Sequence, residues 1–170
     1  MMTREDYEKL ITNVPNFPKE GVIFKDISPL LKHKIEEVAD DMGNGVNWDE
    51  IDVIAGIESR GFILGAAMAV KHKKGFVLIR KKGKLPPPVK SESYSLEYGT
   101  DTLEMRENSE KLTVLLVDDV LATGGTLLAA KKLCEHNNYE VKDMSVLINL
   151  KFLNDFHKQG IVVKSILDYE

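Results

Sequence analysis

The chain has one cysteine, Cys134, in 170 residues. A lone thiol excludes an internal disulfide and points to a reducing compartment, with Cys134 expected in the core of a helix. Long hydrophobic runs are missing too. No window approaches a membrane span, and the N-terminal MMTREDYEKL lacks the apolar stretch of a secretion signal. A cytoplasmic location is the default expectation. There is no HExxH and no CxxC, and His33, His72, His136 and His157 do not pair at ligand spacing, so no protein metal site is expected. Basic residues are not in excess: the net charge is −4 with 29% charged residues, which argues against nucleic acid as a partner. No internal repeat or long polar linker divides the chain, so residues 1–170 read as a single domain.

The most informative segment that is present is VLLVDDVLATGGT, residues 114–126. It reads as a buried strand ending in two carboxylates, Asp118 and Asp119. A loop of small residues follows (Ala122, Thr123, Gly124, Gly125 and Thr126), and then the helical pattern LLAAKKLCEH. Backbone N–H groups of such a loop, with the positive end of a helix dipole behind them, hold an anion. Glycines at 124 and 125 let a ligand approach the backbone, and the threonine hydroxyls add donors. The two aspartates would repel a phosphate but accept hydrogen bonds from vicinal sugar hydroxyls. Together these groups ask for a ribose 5-phosphate. A helix cap followed by a plain turn would explain a lone DD or GG, but it fits the complete string less well. The segment is neither a Walker A loop nor a dinucleotide fingerprint, since no Gly-Lys-Ser/Thr and no G-x-G-x-x-G is present.

Apolar, β-rich runs at 51–57, 76–80, 112–118, 144–149 and 161–167 alternate with helical stretches near 31–41, 61–73, 125–136 and 152–158. Continuous apolar strands alternating with helices predict an α/β fold with a mostly parallel central sheet flanked by helices. In such sheets ligands bind beyond the carboxyl ends of the strands. Glu58, Arg80 and Asp118 all fall there. The stretch from Lys81 to Glu110 breaks the alternation. It holds three prolines, Pro86 to Pro88, and its SYSLEYG and TLEM alternate like a hairpin, so a β-flap acting as a lid is expected. Eight basic residues lie between positions 71 and 90, a local cationic stretch that suits an acidic small substrate, with Lys71, Lys73 and Lys74 expected on a solvated surface.

These residues resemble the type I phosphoribosyltransferase family. Ala122 stands where enzymes for 6-oxopurines usually carry an acid, and three further stretches are similar to the adenine-specific branch: FPKEGVIFKDISPLL (17–31), IAGIESRGFILGAAMA (54–69) and LIRKKGKLPPPVKSESYSLEYGTDTLEM (78–105). The resemblance spans nearly the whole chain. It implies the type I phosphoribosyltransferase fold, with a small N-terminal hood (about 1–30) and a flexible flap (about 81–110). The reaction it implies joins adenine and phosphoribosyl diphosphate to give AMP and diphosphate, in a homodimer. Mg2+ would be bound mainly through the substrate, and Arg80 to Lys84 would lie near the partner's site.

The resemblance also assigns roles. Ser59, Arg60, Arg80, Lys81 and Lys84 contact the diphosphate, and Arg60 also stabilises the departing charge. A structural ion pair is the alternative for each of the cations. Glu97 in SLEYG is the acid/base for the purine proton, with Glu104 as competitor, and Tyr98 closes over the site. Ile23, Phe24 and Lys25 on a hood strand, with Leu150 as an apolar floor, read the adenine. The Glu58–Ser59 link resembles a turn that is often strained, even cis. Departures from the family pattern are Lys25 for Arg, Asn149 for Glu, Asn154-Asp155 for Gly-Arg and the PPP after Leu85. They bear on substrate preference rather than on the reaction. The competing readings are transfer to another base, such as xanthine, orotate or uracil, and a non-catalytic sensor of phosphoribosyl diphosphate. The absence of a helix-turn-helix segment argues against the sensor.

Overall fold

A computed structural model describes residues 1–96 and 98–170. Helix α1 (Arg4–Leu10) is started by Thr3, whose hydroxyl accepts from the Asp6 amide while the Asp6 carboxylate accepts from the Thr3 amide. This reciprocal box satisfies two N–H groups that the first turn would otherwise leave bare. Strands β1 (Thr12–Pro15) and β2 (Ile23–Asp26) pair antiparallel as a two-stranded hood. Then follow helix α2 (Ser28–Met42), a 3₁₀ turn (Trp48–Glu50), β3 (Val53–Ile57), α3 (Arg60–His72) and β4 (Gly75–Lys81). The flap is β5 (Val89–Leu96) and β6 (Gly99–Arg106). The rest is β7 (Leu112–Leu121), α4 (Gly125–His136), β8 (Tyr139–Leu150), a second 3₁₀ turn (Lys151–Leu153) and β9 (Lys164–Tyr169).

Seven strands form one sheet in the order β5-β6-β4-β3-β7-β8-β9. The pairs from β4 through β9 are parallel, and the flap joins β4 antiparallel. Both faces are covered, which is why the central strands read as unbroken apolar runs. On β7, Leu115 and Val117 enter the core under α2 and α3, whereas Val114 and Leu116 enter the core under α4. All four are fully buried, so Leu116→Ala would cost about 2–5 kcal/mol by cavity formation. Cys134 lies in the α4 core as expected, its thiol pushed up to about 12 by burial. Among the described residues no helix is long and apolar enough to cross a membrane.

Three sequence expectations change. Strand β7 does not end at Asp118 but runs through both acids to Leu121, because Asp118, Val120 and Leu121 continue the ladder with β8. The 161–167 strand begins only at Lys164. The helix near 152–158 is a single 3₁₀ turn, after which Asn154 and Phe156 are held by side-chain contacts that a continuing helix could not make. Lys71 is exposed as expected, and from the surface it also bridges α3 to α2 through Glu36 at 2.9 Å and Asp40 at 3.3 Å.

Candidate active site

Beyond the carboxyl ends of β3, β4 and β7 the chain gathers charged side chains around two helix N-termini. After β3 comes a cis Glu58–Ser59 peptide, and Arg60 then opens α3 with no side-chain cap at Ser59. The uncapped first turn, in which the Phe62 amide donates to the Ser59 carbonyl at 3.1 Å, and the Arg60 guanidinium lie at the same end of the sheet. Arg60 Nε lies 2.6 Å from Asp119 Oδ2, and Nη1 donates to the Lys25 carbonyl at 3.2 Å. The guanidinium also sits 4.8 Å from the centre of the Phe24 ring, a cation–π distance. Hood, helix and central strand therefore meet at one arginine. Asp119 is 8% exposed, and its Oδ2 accepts no hydrogen bond among the described residues, so the contact with Arg60 is Coulombic rather than aimed.

Asp118 is held differently. Its Oδ1 accepts from the Asp119 amide at 2.8 Å. Burial, and then the neighbouring Asp119 charge, push its carboxyl well above the usual range. Gly61 makes this packing possible: a Cβ there would stand 3.0 Å from the Val117 carbonyl and 3.1 Å from Asp118 Oδ1.

The loop of small residues crosses from β7 to α4 without a side-chain cap. Gly124 has φ +95, in the left-handed region that favours glycine, and its carbonyl accepts from Leu128 to start the helix. An added Cβ at 124 would lie 2.8 Å from Phe156 Cζ and closer still to Cε1, so a larger residue there collides with a ring of the protein itself. No side chain caps the amide N–H groups at the α4 start. Thr126 Oγ1, by contrast, donates to the Tyr94 hydroxyl at 3.2 Å.

Like Arg60, two of the other cations assigned to diphosphate, Arg80 and Lys81, are engaged within the chain. Arg80 Nε donates to Glu58 Oε1 at 3.0 Å, and its Nη1 reaches the Lys84 carbonyl at 3.4 Å. Lys81 Nζ pairs with Asp101 and also donates to the Tyr94 hydroxyl at 3.1 Å. Burial lowers the Lys81 ammonium, but the bonds to Asp101 and Tyr94 together leave it raised. Lys84 is exposed. Of the hood residues, Phe24 stacks edge-on with Phe17 at 5.2 Å and faces Arg60, while Ile23 is 65% exposed. The Lys25 side chain turns away to Asn13 at 2.9 Å and the Tyr169 ring at 4.1 Å, leaving only its backbone at the site. Leu150 packs against the α2–α3 core and leads into the second 3₁₀ turn.

The flap is an ordered hairpin that lies along α4 and reaches the hood, where Lys19 Nζ is 5.9 Å from the exposed Tyr98 ring. Glu97 lies outside the described residues. Glu104 is buried at the hairpin base, where it accepts from the Gly83 amide at 2.6 Å and from Ser91 Oγ at 3.0 Å. It is a structural acid. Sequence reasoning missed Tyr94, Asp101 and Phe156, and it marked Asn154 only as a departure from the family pattern, without its contact to the loop. Tyr94 sits inside the quoted SYSLEYG, but the others carry no local signal of their contacts. Among the described residues no cluster of three or more His, Cys, Asp or Glu side chains is gathered as for a metal.

Comparison with known proteins gives the family. Residues 26–150 match the Phosphoribosyl transferase domain family. The chain is 45% identical to the adenine phosphoribosyltransferase of Hydrogenovibrio crunogenus over 99% of each chain. Its fold is similar to the crystal structure of the Rhodothermus marinus adenine phosphoribosyltransferase, with a TM-score of 0.87 and 41% identity, covering 97% of each chain. It is also similar to the Giardia lamblia enzyme solved with 9-deazaadenine, with a TM-score of 0.86 and 36% identity, covering 100% of this chain and 99% of that one. The chain belongs to the adenine phosphoribosyltransferase family and has the type I phosphoribosyltransferase fold.

Proposed function

We propose that this chain transfers the 5-phosphoribosyl group from its diphosphate to adenine, giving AMP and diphosphate for purine salvage. The observation that carries the reading is the run from Asp118-Asp119 into the uncapped N-terminus of α4, with Arg60 clasped to the second acid. The loop amides from Ala122 to Thr126 hold the 5-phosphate, and Asp118 and Asp119 accept from the ribose hydroxyls. The diphosphate, carrying Mg2+ with it as part of the substrate, draws Arg60 away from Asp119 toward the N-terminus of α3. That exchange frees the Asp119 carboxylate for a hydroxyl donor. Arg80, Lys81 and Lys84 supply further positive charge.

In the chemical step an adenine ring nitrogen bonds to the ribosyl anomeric carbon as the carbon–oxygen bond to diphosphate breaks. Arg60 and the α3 amides stabilise the leaving charge, and Mg2+ arriving with the substrate would supply further positive charge there. The purine sheds a proton, and Glu97 takes it up once flap closure has desolvated its carboxylate. Tyr98, meeting Lys19 across the mouth, closes the site against water that would otherwise hydrolyse the sugar. Phe24 and the backbone of Ile23 and Lys25, with Leu150 below, read the base. Lys25 contributes its carbonyl and not its ammonium, so the loss of an arginine there leaves base reading intact.

A homodimer fits the surface. Ile63 and Val70 on α3 and Ile35 on α2 make an apolar face 40–81% exposed, while Leu64 is core. A cytoplasmic setting fits the buried, unpaired thiol of Cys134. A panel of adenine, xanthine, orotate and uracil with phosphoribosyl diphosphate and Mg2+ tests the substrate. Adenine alone should form a nucleotide at an appreciable rate, and equal rates with orotate or uracil would overturn the assignment.

A further inference from the structure

The segment after β8 has no part in the reading above, yet it forms one wall of the phosphate loop. Asn154 Nδ2 lies within hydrogen-bond distance of three acceptors: the Ala122 carbonyl at 3.1 Å, the Leu150 carbonyl at 3.0 Å and Asn149 Oδ1 at 3.1 Å. Its own Oδ1 accepts from the Phe156 amide at 3.2 Å. One side chain thus ties the first residue of the loop to the end of β8 and to the turn that carries Phe156. Phe156 is 4% exposed and sets its ring against Gly124, on the side where any other residue would place a Cβ.

The loop has little to hold itself. Ala122, Gly124 and Gly125 have no polar side chains, the helix has no side-chain cap, and Gly124 sits at a φ that free glycine samples among many others. Amides that must converge on a phosphate bind more weakly if the ligand has to order them first. The restraint comes from outside the loop. We infer that Asn154 and Phe156 are positioning residues that preset the 122–126 loop for the phosphate end of the substrate, with buried Asn149 orienting Asn154. This rests on the reading of that loop as the 5-phosphate seat. Among the described residues neither bonds to the hood, and Asn154 meets the adenine floor only through the Leu150 carbonyl, so the effect falls mainly on the phosphoribosyl ligand. The pair also gives the chain's departures at 149 and 154 a use: an amide-to-amide latch where the family pattern has Glu and Gly.

The test compares Asn154→Ala, Asn154→Asp and Phe156→Leu with the wild type, each checked by circular dichroism and thermal melting. The readouts are the AMP Kd and the KM values for both substrates. Losing one restraining hydrogen bond should raise the AMP Kd and the KM for phosphoribosyl diphosphate about five- to tenfold, with the adenine KM changed less than about twofold. Asn154→Asp keeps the acceptor for Phe156 but loses the donor, so it should behave like Asn154→Ala. Phe156→Leu keeps an apolar filling, and Asn154→Ala removes no core residue, so a folding failure of one leaves the other to decide. Wild-type affinity for AMP in folded variants would overturn the inference alone, and so would an equal rise in both KM values. If the wild-type protein itself did not bind AMP, the phosphate-seat reading would fall first and the inference with it.

Discussion

The Arg60 guanidinium and the Asp119 carboxylate touch at 2.6 Å, and this contact joins the α3 N-terminus to the strand that supplies the acids. Arg60 cannot hold Asp119 and a diphosphate with the same nitrogens, so substrate must trade one anion for another. Arg60→Ala should therefore weaken both phosphoribosyl diphosphate binding and turnover, by about 10²-fold in kcat/KM, as expected for a donor to a developing charge. Steady-state kinetics check this, and an unchanged kcat/KM would remove Arg60 from the chemistry.

Asp118 makes a prediction about stability. Its carboxyl is raised by burial and by the Asp119 charge, so the folded state binds a proton more readily than the unfolded chain does. Stability then falls as pH rises from the unfolded value near 3.8 through the folded one, and the cost is fully present above it. Asp118→Asn keeps the acceptor for the Asp119 amide and removes the charge. The ligand-free variant should melt higher than wild type at pH 7, with the gap closing toward pH 4, while catalysis declines. Melting curves across this pH range decide it, and a lower melting point at pH 7 would contradict the account.

The two flap acids should separate cleanly. Glu97→Gln should lower turnover about 10²–10⁴-fold while phosphoribosyl diphosphate binding stays near normal, because an amide cannot take up the purine proton. Glu104→Gln should mainly loosen the hairpin base, where the carboxylate accepts from Gly83 and Ser91, at about 1–3 kcal/mol. Kinetics beside denaturant unfolding distinguish them. The reverse pattern would make Glu104 the catalytic acid.

Assembly can be read on α3. Ile63→Glu places a charge on the exposed apolar face at no more than about 0.5 kcal/mol to the fold. Sedimentation should show a dimer for wild type and a monomer for the variant. A fully active wild-type monomer at assay concentration would refute the dimer.

How much of this was legible in the sequence follows from the range of the interactions. The β3, β4, β7 and β8 strands and the α3 and α4 helices announce themselves through local apolar periodicity and the glycine loop. The Thr3–Asp6 box that begins α1 is also written locally, as a threonine three residues before an acid. Strand β7 ran longer than expected because buried carboxylates hide the end of an apolar run. The pairings Arg80–Glu58 and Lys81–Asp101 span 22 and 20 residues and have no local trace. Asn154 meets Ala122 across 32 residues, and the ring beside Gly124 arrives with it. A bulky residue at 124 should still abolish AMP binding, but through collision with Phe156 and a strained φ as well as through the ligand's approach.

The central claim is that this site joins adenine to a phosphoribosyl group, and labelled adenine tests it most directly. Incubated with phosphoribosyl diphosphate and Mg2+, the protein should convert the label to AMP and release one diphosphate for each AMP formed. Label remaining as free adenine, or ribose 5-phosphate accumulating without AMP, would contradict it.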